Sequence, residues 1–291
     1  MRIDQIIAER RPVFSFEFFP PKDDEGLERL RAALDDLKAD DPGYASVTYG
    51  AGGTTRRLTI DIVRRIKRES GLEAMAHLTC VGHTAAELGA ILDELVAGGI
   101  ENVLALRGDP PRGETTFAPV AGGFAHGAEL AAFIRSRWDV CIAGAAHPET
   151  HVEAPDAETD LRHLVAKVRA GAEVLITQLF FDPADYFGFV ERARAAGITV
   201  PIVPGIMPVT NVAQLERFTT MCGARIPASL RDLLARAGDD ELAVTSVGIA
   251  WATDMCRTLL DGTAPGLHFY TLNRSRSTQE IVGLLRQEGR L

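Results

Sequence analysis

Phe14-Ser15-Phe16-Glu17-Phe18-Phe19-Pro20-Pro21 is the stretch on which the fold turns. The aromatic run predicts a strand, and the two prolines, which cannot donate to a ladder, end it. Side chains alternate along a strand, so Phe14, Phe16 and Phe18 share one face, and Ser15, Glu17 and Phe19 share the other. Glu17 therefore stands near the C-terminal end of the strand. A carboxylate among phenylalanines is costly to bury unless it is paired, hydrogen-bonded or protonated. Such surroundings favour the neutral form, which is what a general acid requires. The other reading is an edge-strand glutamate facing water.

Outward from this strand the chain repeats one unit. Residues 1–12 carry a short lead-in helix, and Leu27, Leu30, Leu34 and Leu37 mark a helix over 25–39. Strands follow at Tyr44–Tyr49, Ala74–Cys80, Asn102–Leu106, Val140–Ala145, Glu173–Phe180, Val200–Ile206 and Leu267–Leu272, each followed by a helical stretch. Strict alternation of strand and helix implies a parallel sheet with right-handed crossovers. Eight such units in 291 residues predict a single α/β domain, a (β/α)8 barrel over 1–291, with extra helices over 224–265 before the last strand. A doubly wound sheet would carry a GxGxxG turn after its first strand. Here that turn is Pro20-Pro21-Lys22, so the barrel is favoured.

Composition narrows the partners. The net charge is −9 with 24% charged residues and no cluster of Lys and Arg, which argues against nucleic acid and against an anionic membrane surface. No apolar run approaches about 18 residues, so no membrane span is read. The start lacks the apolar core of a signal peptide. Cys80, Cys141, Cys222 and Cys256 are scattered with no CxxC pair, as expected of reduced thiols in a cytoplasmic protein. His147-Pro-Glu-Thr-His151 has metal-like spacing, but Pro148 breaks a helix through it and the pattern is not HExxH, so no metal site is expected.

Barrel enzymes build their sites at the C-terminal ends of the strands. Those ends here carry Glu17; Thr48, Tyr49 and the Gly50–Gly53 loop; His77 and Thr79; Arg107-Gly108-Asp109; His147, Glu149 and His151; Gln178; and Tyr270, Asn273 and Arg274. Polar groups that converge on one end suit a bound ligand. Bland readings stand beside them: Arg107 and Asp109 as a structural ion pair, His77 as a core histidine, Gln178 as a buried structural amide.

Six segments also occur in a recognisable order: Phe16-Glu17-Phe18-Phe19-Pro20-Pro21-Lys22, Val47-Thr48-Tyr49-Gly50-Ala51, His77-Leu78-Thr79, Ala105-Leu106-Arg107-Gly108-Asp109, Ile176-Thr177-Gln178 and Phe269-Tyr270-Thr271-Leu272-Asn273-Arg274. With them the chain resembles the bacterial methylenetetrahydrofolate reductases, in their short form without the regulatory domain of animal enzymes. The resemblance runs from about residue 13 to 275. It implies an FAD-binding barrel of one-carbon metabolism and methionine biosynthesis. The implied reaction is ping-pong reduction of 5,10-methylenetetrahydrofolate to 5-methyltetrahydrofolate by NADH or NADPH.

By the same resemblance Glu17 is the general acid that opens the methylene bridge to a 5-iminium cation. Asp109 is the second catalytic group, close to flavin and pterin. Thr48, Tyr49, Ala51, His77, Arg107, Gly108, Asp109, Ala125, His147, His151, Asp160 and Lys167 match cofactor-contacting positions. Gln178, Gln214, Phe218 and Arg274 match positions that bind folate. His147 stands where such chains usually have Tyr or Phe, and Val152 where they have Pro; His163 and Ala166 also depart from the pattern. Barrels of this type commonly self-associate, so a homo-oligomer is expected. The alternative is a flavin-independent reductase passing hydride directly from the nicotinamide.

Overall fold

The computed structural model describes residues 1–21, 23–49, 56–110, 113 and 117–291. Nine strands, all paired in parallel, form one sheet in the order β7-β6-β5-β4-β3-β2-β1-β9-β8 among the described residues. They are β1 (Val13–Phe18), β2 (Tyr44–Val47), β3 (Glu73–Thr79), β4 (Asn102–Leu106), β5 (Cys141–Ala146), β6 (Val174–Thr177), β7 (Ile202–Val203), β8 (Gly205–Ile206) and β9 (Gly266–Tyr270). The expected seventh strand, 200–206, is split at Pro204 into β7 and β8 because proline has no N–H to give. Its first half pairs with β6 and its second with β9, so one pass of the chain joins both margins of the sheet. The ring is a (β/α)8 barrel. The expected strand over 173–180 is shorter at both ends, since Gln178 already turns into the loop that leads to the next helix.

Eleven helices surround or cap the ring among the described residues: α1 (Ile3–Glu9), α2 (Asp24–Lys38), α3 (Arg56–Arg65), α4 (Ala85–Ala97), α5 (Gly127–Arg135), α6 (Ala157–Arg169), α7 (Pro183–Ala195), α8 (Val212–Cys222), α9 (Ala228–Ala237), α10 (Glu241–Asp261) and α11 (Arg276–Gln287). Their starts are written in the sequence. Asp23 accepts from Gly26 N–H, Thr84 and Glu87 form a reciprocal capping box, Asp156 accepts from Thr159 N–H, and Asn211 accepts from Gln214 N–H. α9 and α10 are the extra helices expected before the last strand. No helix among the described residues is long and apolar enough to cross a membrane.

Alternation along the strands makes two cores. Phe14, Phe16 and Phe18 point outward with Phe269 into the layer between sheet and helices. Val13, Tyr44, Met75, Leu104, Cys141, Val174 and Val203 point inward, and Ile3, Ile6 and Ile7 of α1 plug the bottom of the ring against them. Every residue of β1 is buried, as expected for a parallel strand covered on both faces. An edge-strand position for Glu17 is thereby excluded, because β1 lies between β2 and β9.

Phe16 is fully buried, with its ring 5.7 Å from Phe14 and 6.2 Å from Phe269. Phe16→Ala is expected to destabilise the fold by about 3–5 kcal/mol, as other large-to-small core changes do. A denaturant-unfolding midpoint equal to that of the parent would contradict this packing.

Candidate active site

Inward-facing positions at the C-terminal ends of the strands build the site. On β1 they are Ser15 and Glu17; on β3, His77 and Thr79; on β9, His268 and Tyr270. The parallel register sets Ser15 beside His268 and Glu17 beside Tyr270. Ser15 Oγ lies 2.8 Å from His268 Nδ1, and His268 Nε2 lies 3.3 Å from Glu17 Oε2. From the other side His77 Nε2 stands 3.4 Å from the same carboxylate oxygen. Glu17 is only 6% exposed, so burial and these two imidazoles define its chemistry. Burial lowers the His77 pKa to about 4, with Glu17 opposing and His268 adding to the effect, so His77 is neutral near pH 7. Tyr44 stacks on His268 at 6.0 Å, and Tyr270 meets its ring edge-on at 5.5 Å, which fixes the imidazole plane.

The C-terminal end of β1 is held as well. Thr271 Oγ1 donates to the Glu17 carbonyl at 2.6 Å. The Asn273 amide both accepts from Phe19 N–H and donates to the Phe19 carbonyl, each at 2.8 Å. Asn273 does so from a left-handed backbone (φ 58°), a conformation Asn tolerates better than most residues. Three buried polar atoms around Glu17 nevertheless lack a hydrogen-bond partner: Ser46 Oγ, His77 Nε2 and Thr79 Oγ1. Native proteins rarely leave such atoms unsatisfied, so this floor suits a ligand with a polar edge.

Beside the floor, between the ends of β4 and β5 and helices α5 and α6, lies a cavity of about 360 Å³. Arg107, His147, His151, Asp160 and Lys167 all line it, so the structure gathers five of the residues expected to hold a cofactor. Lys167 reaches it from α6, its stem passing Gly144, where a Cβ would come within 2.7 Å of Lys167 Cδ. Its Nζ donates to the Ala145 carbonyl at 2.5 Å. Burial brings the ammonium pKa down to about 8, with Asp160 resisting. A cation so placed, with one carbonyl and one distant carboxylate, suits an anionic ligand. The donor set therefore fits the diphosphate of a dinucleotide such as FAD. A wider groove of about 830 Å³ on the outer face of α6 lies away from the strand ends and gathers none of these groups.

Other expected residues are placed differently. Arg107 is not the ion-pair partner of Asp109; both of its terminal nitrogens bond Glu153, and Asp109 is exposed at the rim. Gly108 has φ 87°, and Thr79 and Val81 crowd its Cβ position, so glycine is required there. Tyr49 is buried and its hydroxyl lies 2.9 Å from His83 Nε2, outside the lining of the cavity. Thr48 is half-buried, and its carbonyl accepts from Thr59 Oγ1. Ala125 N–H donates to Glu129 at the start of α5. Gln178 Oε1 accepts from Leu179 N–H. Gln214 and the half-buried Phe218 sit on α8, and Arg274 is exposed. Ala51, with the Gly50–Gly53 loop and Lys22, lies outside the described residues.

Sequence reasoning missed His268, Ser15 and Glu153. For the first two the signal was present: once β1 and β9 are taken as neighbours, the inward parity of Glu17 selects Ser15, His268 and Tyr270.

Comparison with known proteins shows the family to which the chain belongs. The sequence profile of the family described as methylenetetrahydrofolate reductase matches residues 2–286. The 5,10-methylenetetrahydrofolate reductase of Escherichia coli (strain K12) is 40% identical over 271 residues, covering 93% of this chain and 90% of that protein. The enzyme of the same name from Pectobacterium carotovorum subsp. carotovorum is 39% identical, covering 97% and 94%. A probable methylenetetrahydrofolate reductase (NADH) of Oryza sativa subsp. japonica is 41% identical over 97% of this chain but only 49% of its own length. The chain thus spans about half the length of the plant and yeast relatives it matches. Among solved structures, a Clostridium thermocellum protein described as binding two copies of 5-methyl-5,6,7,8-tetrahydrofolic acid superposes with TM-score 0.64, covering 99% of both chains. At 14% identity that likeness shows the fold alone.

Lys167 gives the site a pH signature. Its folded pKa of about 8 lies below the ordinary lysine value of 10.5, so between those values the unfolded chain binds more protons and stability rises with pH. Lys167→Met is expected to remove that rise and to be more stable than the parent near pH 7. Thermal midpoints of the ligand-free proteins across this range test it; parallel curves would assign the titration to another group.

Proposed function

Because the chain belongs to the methylenetetrahydrofolate reductase family, we propose that it reduces 5,10-methylenetetrahydrofolate to 5-methyltetrahydrofolate in a ping-pong sequence, with FAD as cofactor. NADH is the preferred reductant over NADPH, a reading supported by the names of the plant relatives. The observation that carries the proposal is the buried carboxyl of Glu17 between two imidazoles on a floor of unsatisfied polar atoms. Bound there, FAD would supply the chemistry of hydride transfer between the nicotinamide and the folate. Arg107, His147, His151, Asp160 and Lys167 would hold it.

Glu17 acts as the general acid. It gives its proton to the folate nitrogen that leaves as the methylene bridge opens, and the other nitrogen is left in the iminium that accepts hydride. The Ser15–His268 pair can hold that proton in place. When Ser15 Oγ donates to the Leu267 carbonyl, 3.4 Å away, it accepts from His268 Nδ1–H, and His268 Nε2 then accepts from the protonated carboxyl. When Ser15 donates to Nδ1 instead, Nε2–H faces the carboxylate left after transfer. The hydroxyl thus matches the imidazole tautomer to each state of Glu17. Asp109 at the rim offsets the positive charge of the iminium. Gln178, Gln214 and Phe218 orient the pterin, and exposed Arg274 pairs with the glutamyl carboxylate.

The first test is the visible spectrum of the purified protein, loaded with FAD where needed. A flavin band bleached by anaerobic NADH and restored by methylenetetrahydrofolate is expected. A protein that reduces folate while taking up no FAD would favour direct hydride transfer instead. Glu17→Gln should still be bleached by NADH while folate turnover falls by about 10²–10⁴. Asp109→Asn should slow folate reduction with FAD retained; loss of FAD would make Asp109 a binding residue only.

A further inference from the structure

Four of the seven histidines in the chain, His126, His147, His151 and His163, line the one cavity described above. Two of them, His147 and His151, meet edge to face with ring centroids 4.6 Å apart. Their hydrogen bonds set them apart. His151 Nδ1 accepts from the backbone N–H of Glu153 at 3.1 Å, so that nitrogen carries no proton and the ring is held neutral. Among the described residues no hydrogen bond engages either ring nitrogen of His147.

The fixed cations of the cavity are already committed. Arg107 is paired with Glu153, Lys167 bonds the Ala145 carbonyl, and Arg192 of α7 bonds the Pro148 carbonyl at 3.2 Å. The carboxylates are committed too. Asp160 of α6 accepts from His151 N–H, Glu149 accepts from Arg225 N–H, and Glu129 of α5 accepts from Ala125 and His126 N–H. The stacked pair His126 and His163 also lines the cavity but is exposed, and Asp109 is exposed as well. Among the less exposed groups of the lining, His147 is the one that can gain a compensating charge without breaking a hydrogen bond of the described residues.

We propose that His147 takes up a proton when a dinucleotide diphosphate enters the cavity, so that this chain holds its cofactor more tightly as the pH falls. The inference rests on the reading that the cavity receives FAD. In the empty cavity burial, followed by the fields of His151, Lys167 and Arg107, lowers the His147 pKa to about 3, so the ring starts neutral. An adjacent dianion reverses the sign of that field and favours the imidazolium. Binding that raises a pKa is itself strengthened as pH falls through the raised value, by at most about tenfold per pH unit for one proton.

The test is FAD retention. FAD-loaded protein is diluted at pH values between about 5.5 and 8, and flavin release is followed by fluorescence. The parent should bind FAD at least about threefold more tightly for each unit that the pH falls below about 7. His147→Phe should bind FAD with a flat profile over that range and keep only the loss above pH 8 that belongs to Lys167. Calorimetry in two buffers of different ionisation enthalpy should show net proton uptake by the parent and less by His147→Phe. A flat parent profile, or a His147→Phe profile as steep as the parent's, would overturn the proposal and leave FAD as cofactor. Failure to bind FAD at every pH would overturn both readings.

Discussion

The ring closes through one residue. Pro204 separates β7 from β8, and its carbonyl accepts from His268 N–H at 2.9 Å, so the closure hydrogen bond belongs to the residue that faces Glu17. Close approach is part of the same constraint: a Cβ at Gly205 would lie 2.3 Å from the Thr177 carbonyl and 2.7 Å from the Tyr270 ring. Tyr270 fills that space and donates to the Thr177 carbonyl at 2.6 Å, tying β9 to β6 across the split strand. Without closure β9 would be an edge, paired with β1 alone. The register of the acid site and the integrity of the barrel are one problem in packing.

Two kinds of polar environment follow. Around Glu17 the neighbours are a hydroxyl and two imidazoles, all side chains on paired strands, which holds the carboxyl at a fixed point. Around Lys167 the groups are cations and carboxylates drawn from loops and helix starts, which suits a charged ligand that arrives and leaves. A buried ammonium costs stability until an anion meets it, so the cavity beside Lys167 carries a cost that an anionic ligand would relieve. Separating the two lets the ring keep its acid in place whether or not the neighbouring cavity is filled.

The fold was legible because every signal it needs is local. The end of β1 at Pro20-Pro21, the period of Leu27, Leu30, Leu34 and Leu37, and the caps at Asp23, Thr84 and Asp156 can all be read without knowing what lies opposite. The place of Glu17 near the end of β1 was legible for the same reason, but its burial was not, since that depends on β2 and β9 flanking the strand. His268 was not, since its meaning depends on a pairing with β1 across some 250 residues of chain. For Arg107 the bland reading was an ion pair with its sequence neighbour Asp109, whereas the structure gives it Glu153, which lies on a loop whose path no local pattern fixes. Lys167 shows the intermediate case: its position on α6 is readable, but its reach to Ala145 depends on a glycine in another element.

That loop is tied to elements outside the ring. Glu149 accepts from Arg225 N–H at 2.9 Å, and the Arg225 guanidinium bonds Asp182 and Asp185 at 3.2 and 2.9 Å. Arg225 follows α8, the helix of Gln214 and Phe218, and Asp182 caps α7. The exposed parts of this network contribute little individually, because water screens them. Their arrangement matters more than their energy: one residue, Arg225, joins the loop of His147 and His151 through its backbone N–H to the start of α7 through its guanidinium. The cavity beside Lys167 and helix α8 therefore share an anchor outside the ring, while Glu17 is held within it by β3 and β9.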